Sequence, residues 1–135
     1  MSKIKEVKSI ELPNLGDDRG NMSVVDDTCV PFNIKRMFYI YGTKEDAIRG
    51  QHANINSSFF MVCMAGSVTI KVKDDQAQEA IFVLDSPTKA LYIPNMTWKD
   101  MYDFSPETVL VVLSDHKYDA TEYIRDIESF LQGGK

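Results

Sequence analysis

Apolar residues in this chain come in short runs separated by polar turn clusters. Residues 67–73 alternate, with Val68, Ile70 and Val72 set against Thr69, Lys71 and Lys73. Period-two alternation predicts a strand with one buried face. Residues 59–64 are continuously apolar, which predicts a buried strand. Further strands are predicted over 22–25, 35–41, 79–84, 90–93 and 109–113, with turns at Gly16-Asp17-Asp18-Arg19-Gly20, Gly42, Gly66, Asp74-Asp75 and Asp85-Ser86-Pro87. In 35–41, Tyr39 and Tyr41 alternate with Phe38 and Ile40, so one pair faces inward, and the pattern does not choose between them. The tail differs: Tyr123, Ile124, Ile127, Phe130 and Leu131 fall at helical spacing. A helix is predicted over about 119–132, capped by Asp119 or Thr121 and ended by Gly133-Gly134. The expected architecture is all-β, a sandwich or barrel of short strands with one C-terminal helix.

The length of 135 residues fits one domain over 1–135, and 44% hydrophobic residues are enough for one core. The net charge of −5 argues against a nucleic-acid surface, which needs a basic patch. A phosphorylated small molecule stays open, because two or three local arginines can hold one diphosphate. Cys29 and Cys63 lie far apart and outside any CxxC spacing, which fits two reduced thiols. The N-terminus lacks the apolar stretch of a signal peptide, and no apolar run approaches the roughly 20 residues of a membrane span. A soluble cytoplasmic protein without membrane partners is expected.

Chemistry concentrates in Arg49-Gly50-Gln51-His52-Ala53-Asn54, between two predicted strands. A glycine, a histidine two residues on, a strand and a second glycine (Gly66) resemble the first motif of a cupin barrel. Metal-binding cupins carry a second histidine and a glutamate there. Here those places hold Asn54 and Asn56-Ser57-Ser58-Phe59, and the Pro-containing turn Ile93-Pro94-Asn95-Met96-Thr97-Trp98-Lys99 adds no histidine. One imidazole cannot supply the three protein ligands of a catalytic metal, so neither metal nor cofactor is expected.

The resemblance extends further. Gly16-Asp17-Asp18-Arg19-Gly20, Pro31-Phe32-Asn33-Ile34-Lys35-Arg36, Arg49-Gly50-Gln51-His52-Ala53, Leu84-Asp85-Ser86-Pro87, the stretch from Trp98 to Met101-Tyr102-Asp103-Phe104-Ser105, and that from Asp119 to Tyr123-Ile124-Arg125 occur in order. Together they make the chain similar to the dTDP-4-keto-6-deoxyglucose 3,4-ketoisomerases, over nearly its whole length. The resemblance implies a metal-free cupin (jelly-roll) barrel, a homodimer with exchanged strands, and a dTDP-linked keto sugar as substrate. The N-terminal segment bearing Ile4, Val7, Ile10 and Leu12 is then either an exchanged strand or a strand on its own barrel. The implied reaction moves a keto group between C4 and C3 through an enediolate, in deoxyamino-sugar synthesis. Such a step needs a base near neutrality and a donor for the developing oxyanion. The resemblance makes His52 the acid/base, aided by Lys99 and Arg19. Arg49, Asn54, Arg36, Tyr39 and Trp98 are the expected substrate contacts. Trp98 is more often a core residue than a stacking platform, Arg36 equally suits a strand-flanking surface, Lys99 also suits a solvated loop, and His116 is expected at the surface.

Four positions depart from the family's pattern: Asn54 replaces a second histidine, Phe38 a tyrosine, Phe59 a glutamine, and Lys99 a histidine or arginine. All fall around the expected sugar pocket. Two other functions are consistent with that pattern: an isomerase or epimerase for another keto sugar nucleotide, and a sugar-nucleotide-binding cupin without catalysis.

Overall fold

The computed structural model describes residues 2–133 and is built of two antiparallel five-stranded sheets. In chain order the strands are β1 (Lys8–Glu11), β2 (Arg36–Tyr41), β3 (Arg49–Asn54), β4 (Phe59–Ala65), β5 (Val68–Lys73), β6 (Glu79–Leu84), β7 (Lys89–Ile93), β8 (Trp98–Tyr102), β9 (Val109–Ser114) and β10 (Tyr123–Ile124). The first sheet runs β1-β7-β4-β9-β2 and the second β10-β3-β8-β5-β6. This is the all-β cupin barrel expected from the sequence.

The patterns explain the packing. Val68, Ile70 and Val72 of β5 are buried between the sheets with Leu91, Leu110 and Val112. The continuous apolar run of β4 arises because both of its faces are covered. Phe59, Met61 and Cys63 face the inter-sheet core, while Phe60 and Val62 face a second cluster with Leu12, Val30 and Ala90. That outer cluster sits beneath the segment joining β1 to β2. The strand predicted at 22–25 does not form there. The Met22 carbonyl instead accepts from Leu15 N at 2.6 Å, closing a local loop rather than joining a sheet. The N-terminal segment lies on its own barrel, with β1 pairing to β7 from Lys8↔Tyr92 to Glu11↔Lys89.

Two further expectations are corrected. The single helix over 119–132 breaks into a 3-10 turn at Ala120–Glu122, strand β10, and a one-turn helix α1 at Ile127–Leu131; the proposed stop at Gly134 lies outside the described residues. The cause is the edge of β3, whose Ala53 and Asn54 pair with Ile124 and Tyr123. Backbone groups engaged in a ladder cannot serve a helix. The apolar spacing is still used, because Ile124, Ile127, Phe130 and Leu131 pack on Ala53 and Trp98. Second, Arg49–Asn54, placed between predicted strands, and Trp98–Tyr102, given no strand, are paired strands of the second sheet.

Candidate active site

The β3–β8 pair puts the key side chains together. Gly50 faces Asp100 and His52 faces Lys99, with a bulge at Gln51 between them. The bulge depends on positive φ at Gly50 (80°) and Gln51 (57°). A β-bulge inserts a residue and re-aims the side chains that follow it. Gly50 is required for a second reason, since a Cβ there would stand 2.7 Å from the Lys99 carbonyl oxygen.

His52 and Lys99 line a cavity of about 230 Å³ at the mouth of the barrel, together with Arg49, Phe38, Phe59, Tyr118, Tyr123 and Arg125. The imidazole Nδ1 lies 3.0 Å from the Gly50 carbonyl oxygen. A carbonyl can only accept, so that nitrogen carries the proton and Nε2 keeps its lone pair. Tyr123 packs on the ring at a centroid distance of 4.8 Å. Burial, and then the Lys99 charge, push the histidine down to about 4. His52 is therefore neutral, and a base, across the physiological range.

Lys99 is only 2% exposed. Its ammonium donates to Asn54 Oδ1 at 3.2 Å and to the Thr97 carbonyl at 3.4 Å, and it lies 4.6 Å above the Phe59 ring. Burial lowers its pKa to about 7, against the attraction of Glu122, which raises it. A lysine desolvated in this way titrates where a catalytic acid should. Arg49 and Arg125 add two guanidiniums to the same cavity, the latter 4.8 Å over Tyr123. Thus an acidic chain presents a cationic cavity beside a neutral imidazole. A larger hollow of about 390 Å³ on the outer face of the first sheet contains no ionisable side chain and offers no such chemistry.

Among the sequence-predicted residues, the structure brings His52, Lys99 and Arg49 to the cavity. Asn54 is fully buried behind it as the acceptor for Lys99. Its Nδ2 has no partner within hydrogen-bond geometry, although the amide lies near enough to Glu122 to help keep that carboxyl ionised. Arg36 sits just outside, over the rings of Phe38, Phe59 and Tyr118 at 5.4–5.9 Å.

Three predicted residues are not brought there. Tyr39 is 56% exposed and stacks on Tyr41 on the outer face of β2, so the inward pair is Phe38 and Ile40. Trp98 points to the opposite face of β8, where it packs on Phe130 and donates to Asp100. Arg19 is exposed in its loop and pairs with Asp17 at 2.5 Å, away from the cavity of its own chain.

Sequence reasoning assigned no role to Tyr118, Tyr123, Arg125 or Glu122. The last three lie in the segment mistaken for one helix, and only the resemblance running through Tyr123-Ile124-Arg125 pointed at them. Among the described residues, no three His, Cys, Asp or Glu side chains gather where they could hold a metal ion.

A cupin-like barrel with an imidazole and a buried lysine facing one cavity is a candidate site for acid/base chemistry. Comparison with known proteins gives the class. The family model described as FdtA, "WxcM-like, C-terminal", matches residues 5–135. A curated relative from Aneurinibacillus thermoaerophilus, TDP-4-oxo-6-deoxy-alpha-D-glucose-3,4-oxoisomerase, is 36% identical over 126 residues, covering 93% of this chain and 90% of the relative. Among solved structures, WlaRA from Campylobacter jejuni, a TDP-fucose-3,4-ketoisomerase, superposes with a TM-score of 0.89 at 36% identity, covering 96% of each chain. QdtA from Thermoanaerobacterium thermosaccharolyticum, a sugar 3,4-ketoisomerase solved with TDP, superposes with a TM-score of 0.90 at 32% identity, covering 95% of this chain and 93% of its own. The chain belongs to this family of sugar 3,4-ketoisomerases and is an enzyme.

Proposed function

We propose that the protein moves the keto group between C4 and C3 of a dTDP-linked 4-keto-6-deoxyhexose, with His52 and Lys99 as the working pair. The observation that carries this reading is their cross-strand pairing at one cavity in opposite proton states. Neutral His52 takes the C3 proton through Nε2, and the electron pair moves to the C4 oxygen, giving an enediolate. The Lys99 ammonium faces that negative charge and supplies a proton to C4, while the O3 proton passes to the C4 oxygen as the C3 carbonyl forms, leaving a C4 hydroxyl. His52 then releases its proton to solvent and Lys99 regains one, which resets the pair. The imidazolium produced would be repelled by Lys99, but the enediolate's charge appears at the same moment and attracts both cations. That interaction exists only as the reaction proceeds, which is what lowers a barrier. Lys99 thereby fills the place of an imidazole or guanidinium, and Asn54, no longer a histidine, serves as its acceptor.

Arg49 and Arg125 suit a diphosphate by their forked geometry. The relative solved with TDP supports a thymidine nucleotide as the carrier. The working form is proposed to be a homodimer in the cytoplasm. Met37, Tyr39, Tyr41 and Met64 are exposed apolar residues on the first sheet, which supports a covered face in the assembly. Two free cysteines, Cys63 fully buried, suit a reducing compartment. No helix among the described residues is long and apolar enough to cross a membrane.

The test is incubation with TDP-4-keto-6-deoxyglucose in D₂O while C3 is followed by NMR. Deuterium entry at C3 and conversion to the 3-keto product are expected, and both should vanish in His52→Ala. TDP binding without exchange would leave a binding protein. Exchange confined to another keto sugar nucleotide would change the substrate. No TDP binding would sink the sugar-nucleotide reading.

A further inference from the structure

Glu122 is a buried carboxylate that the reaction above does not use. It is 3% exposed, at the end of the 3-10 turn and directly before β10. Its Oε1 accepts from the backbone nitrogens of Asn56 and Ser57, both at 2.8 Å, and its Oε2 accepts a short hydrogen bond from the Ser57 hydroxyl. Burial pushes the carboxyl up, yet these donors more than offset it and hold it below the ordinary carboxylate range. It is therefore a fixed negative charge in the wall of the site. Its nearest link to the chemistry is Asn54, which pairs with Tyr123 across β3–β10 and accepts from Lys99 Nζ at 3.2 Å.

We propose that Glu122 is a positioning residue for the reaction, its fixed charge holding Lys99 as the ammonium partner of His52 across the buried Asn54 amide, whose Oδ1 accepts from Lys99 and whose Nδ2 is left without a partner. This deepens the proposed isomerase reading, and its catalytic consequence rests on that reading. The surroundings of Lys99 leave Glu122 as its one anionic support. From β3 it faces His52 and Arg49; from β10 and its continuation, Tyr123 and Arg125; from the segment after β9, Tyr118. The charged residues of neighbouring β5, Lys71 and Lys73, are engaged with Glu79. Arg36 and Phe59 close the remaining side, cation against ring. A lysine 2% exposed, with only guanidiniums at the rim of its cavity, depends on a nearby carboxylate to stay charged. Glu122 is also tied to the Asn56-Ser57 turn that leads into β4, so a purely structural role is the competing explanation, and the test must separate the two.

The experiment follows the Lys99 side chain directly, by ¹³Cε NMR of lysine-labelled protein, using the resonance lost in Lys99→Met. Its titration midpoint and the pH dependence of kcat are measured in the wild type and in Glu122→Gln. The Lys99 midpoint is expected to fall by about one pH unit, and the basic limb of kcat to move down with it, with KM changed less than about twofold. Ser57→Ala keeps the charge while losing one donor, so its limb should stay where it is. An unmoved midpoint in Glu122→Gln would overturn the proposal. So would a kcat curve lowered uniformly at every pH, or a Ser57→Ala shift as large as that of Glu122→Gln. Should Glu122→Gln fail to fold, Glu122→Asp keeps the charge but draws it back by one methylene; its Lys99 midpoint should fall by less than about one pH unit, and an unmoved one again overturns the proposal. A midpoint that moves in a protein showing no isomerisation would support the Glu122 link and sink the isomerase reading.

Discussion

The two central strand pairs of the barrel are built on opposite terms. In the first sheet, β4 and β9 pair from Phe59↔Ser114 to Ala65↔Val109, and apolar side chains fill both faces. In the second, β3 and β8 pair Arg-Gly-Gln-His with Lys-Asp-Met, bulged in the middle. The first pair gains stability from each burial. The second buries an imidazole, an ammonium and an amide, each of which costs free energy unless it is partnered. The partners are the Gly50 and Thr97 carbonyls, Asn54, and Glu122 behind it. Stability thus resides in the first pair and the proposed chemistry in the second.

The sharpest way to break that division is to cross it by mutation. His52→Ala should lower kcat by about 10²–10⁴, the usual worth of an acid/base group, while leaving the denaturant midpoint close to that of the wild type. If stability collapsed instead, the histidine would be a core residue and the division false. Leu110→Ala is the converse. This fully buried residue of β9 lies between the sheets. Its truncation should cost about 2–5 kcal/mol in urea unfolding, with the kcat of the remaining folded protein little changed.

Lys99→Met comes next and tests both sides at once. It removes a cation that burial disfavours from a site where methionine fits as packing, so below about pH 7 the fold should gain stability while activity is lost. The gain must depend on pH. Lys99 has a folded value of about 7 against an ordinary 10.5, and His52 about 4 against 6.5. Between each pair of values the unfolded chain binds the extra proton, so stability rises with pH through both windows and is lost as pH falls. The advantage of Lys99→Met over the wild type should be large at pH 6 and shrink by pH 9.5, as thermal unfolding in matched buffers would show. An advantage that ignores pH would mean that Lys99 binds its proton equally in the folded and unfolded chains, so that burial does not lower its pKa. The same two values bound the activity. Neutral His52 with charged Lys99 exists only between about 4 and about 7, so kcat/KM should be bell-shaped with limbs there.

The same contrast decides what could be read from the sequence. The strands β4, β5 and β9 were legible because burial on a regular pleat leaves an apolar or alternating record. Strands β3 and β8 were not, because polar residues occupy their cavity-facing positions, and Arg-Gly-Gln-His reads as loop by any periodicity. His52, Lys99 and Arg49 were found only through family resemblance. Tyr39 and Trp98 failed because alternation fixes that neighbours face opposite ways, not which of them faces in. The tail failed differently. Its apolar spacing suits a helix, but the open edge of β3 drew Tyr123 and Ile124 into a ladder, a tertiary effect absent from local sequence. Glu122 and Arg125 were lost with it.

The smallest expected effect concerns Arg19, the predicted catalytic residue that the structure leaves outside both strand pairs. Its side chain is 87% exposed and its ion pair with Asp17 lies in the surface loop. Exposed pairs of this kind contribute about 0–1 kcal/mol. Arg19→Ala should therefore leave the unfolding midpoint unchanged and kcat within about twofold of the wild type. The informative contrary result is a tenfold loss of kcat without loss of stability. Because Arg19 does not line the cavity of its own chain, such a loss could arise only if the loop of one protomer served the cavity of another. The chemistry would then no longer belong to the β3–β8 pair of a single chain, and a mixture of the impaired Arg19→Ala and His52→Ala proteins should exceed the activity of either alone as protomers exchange.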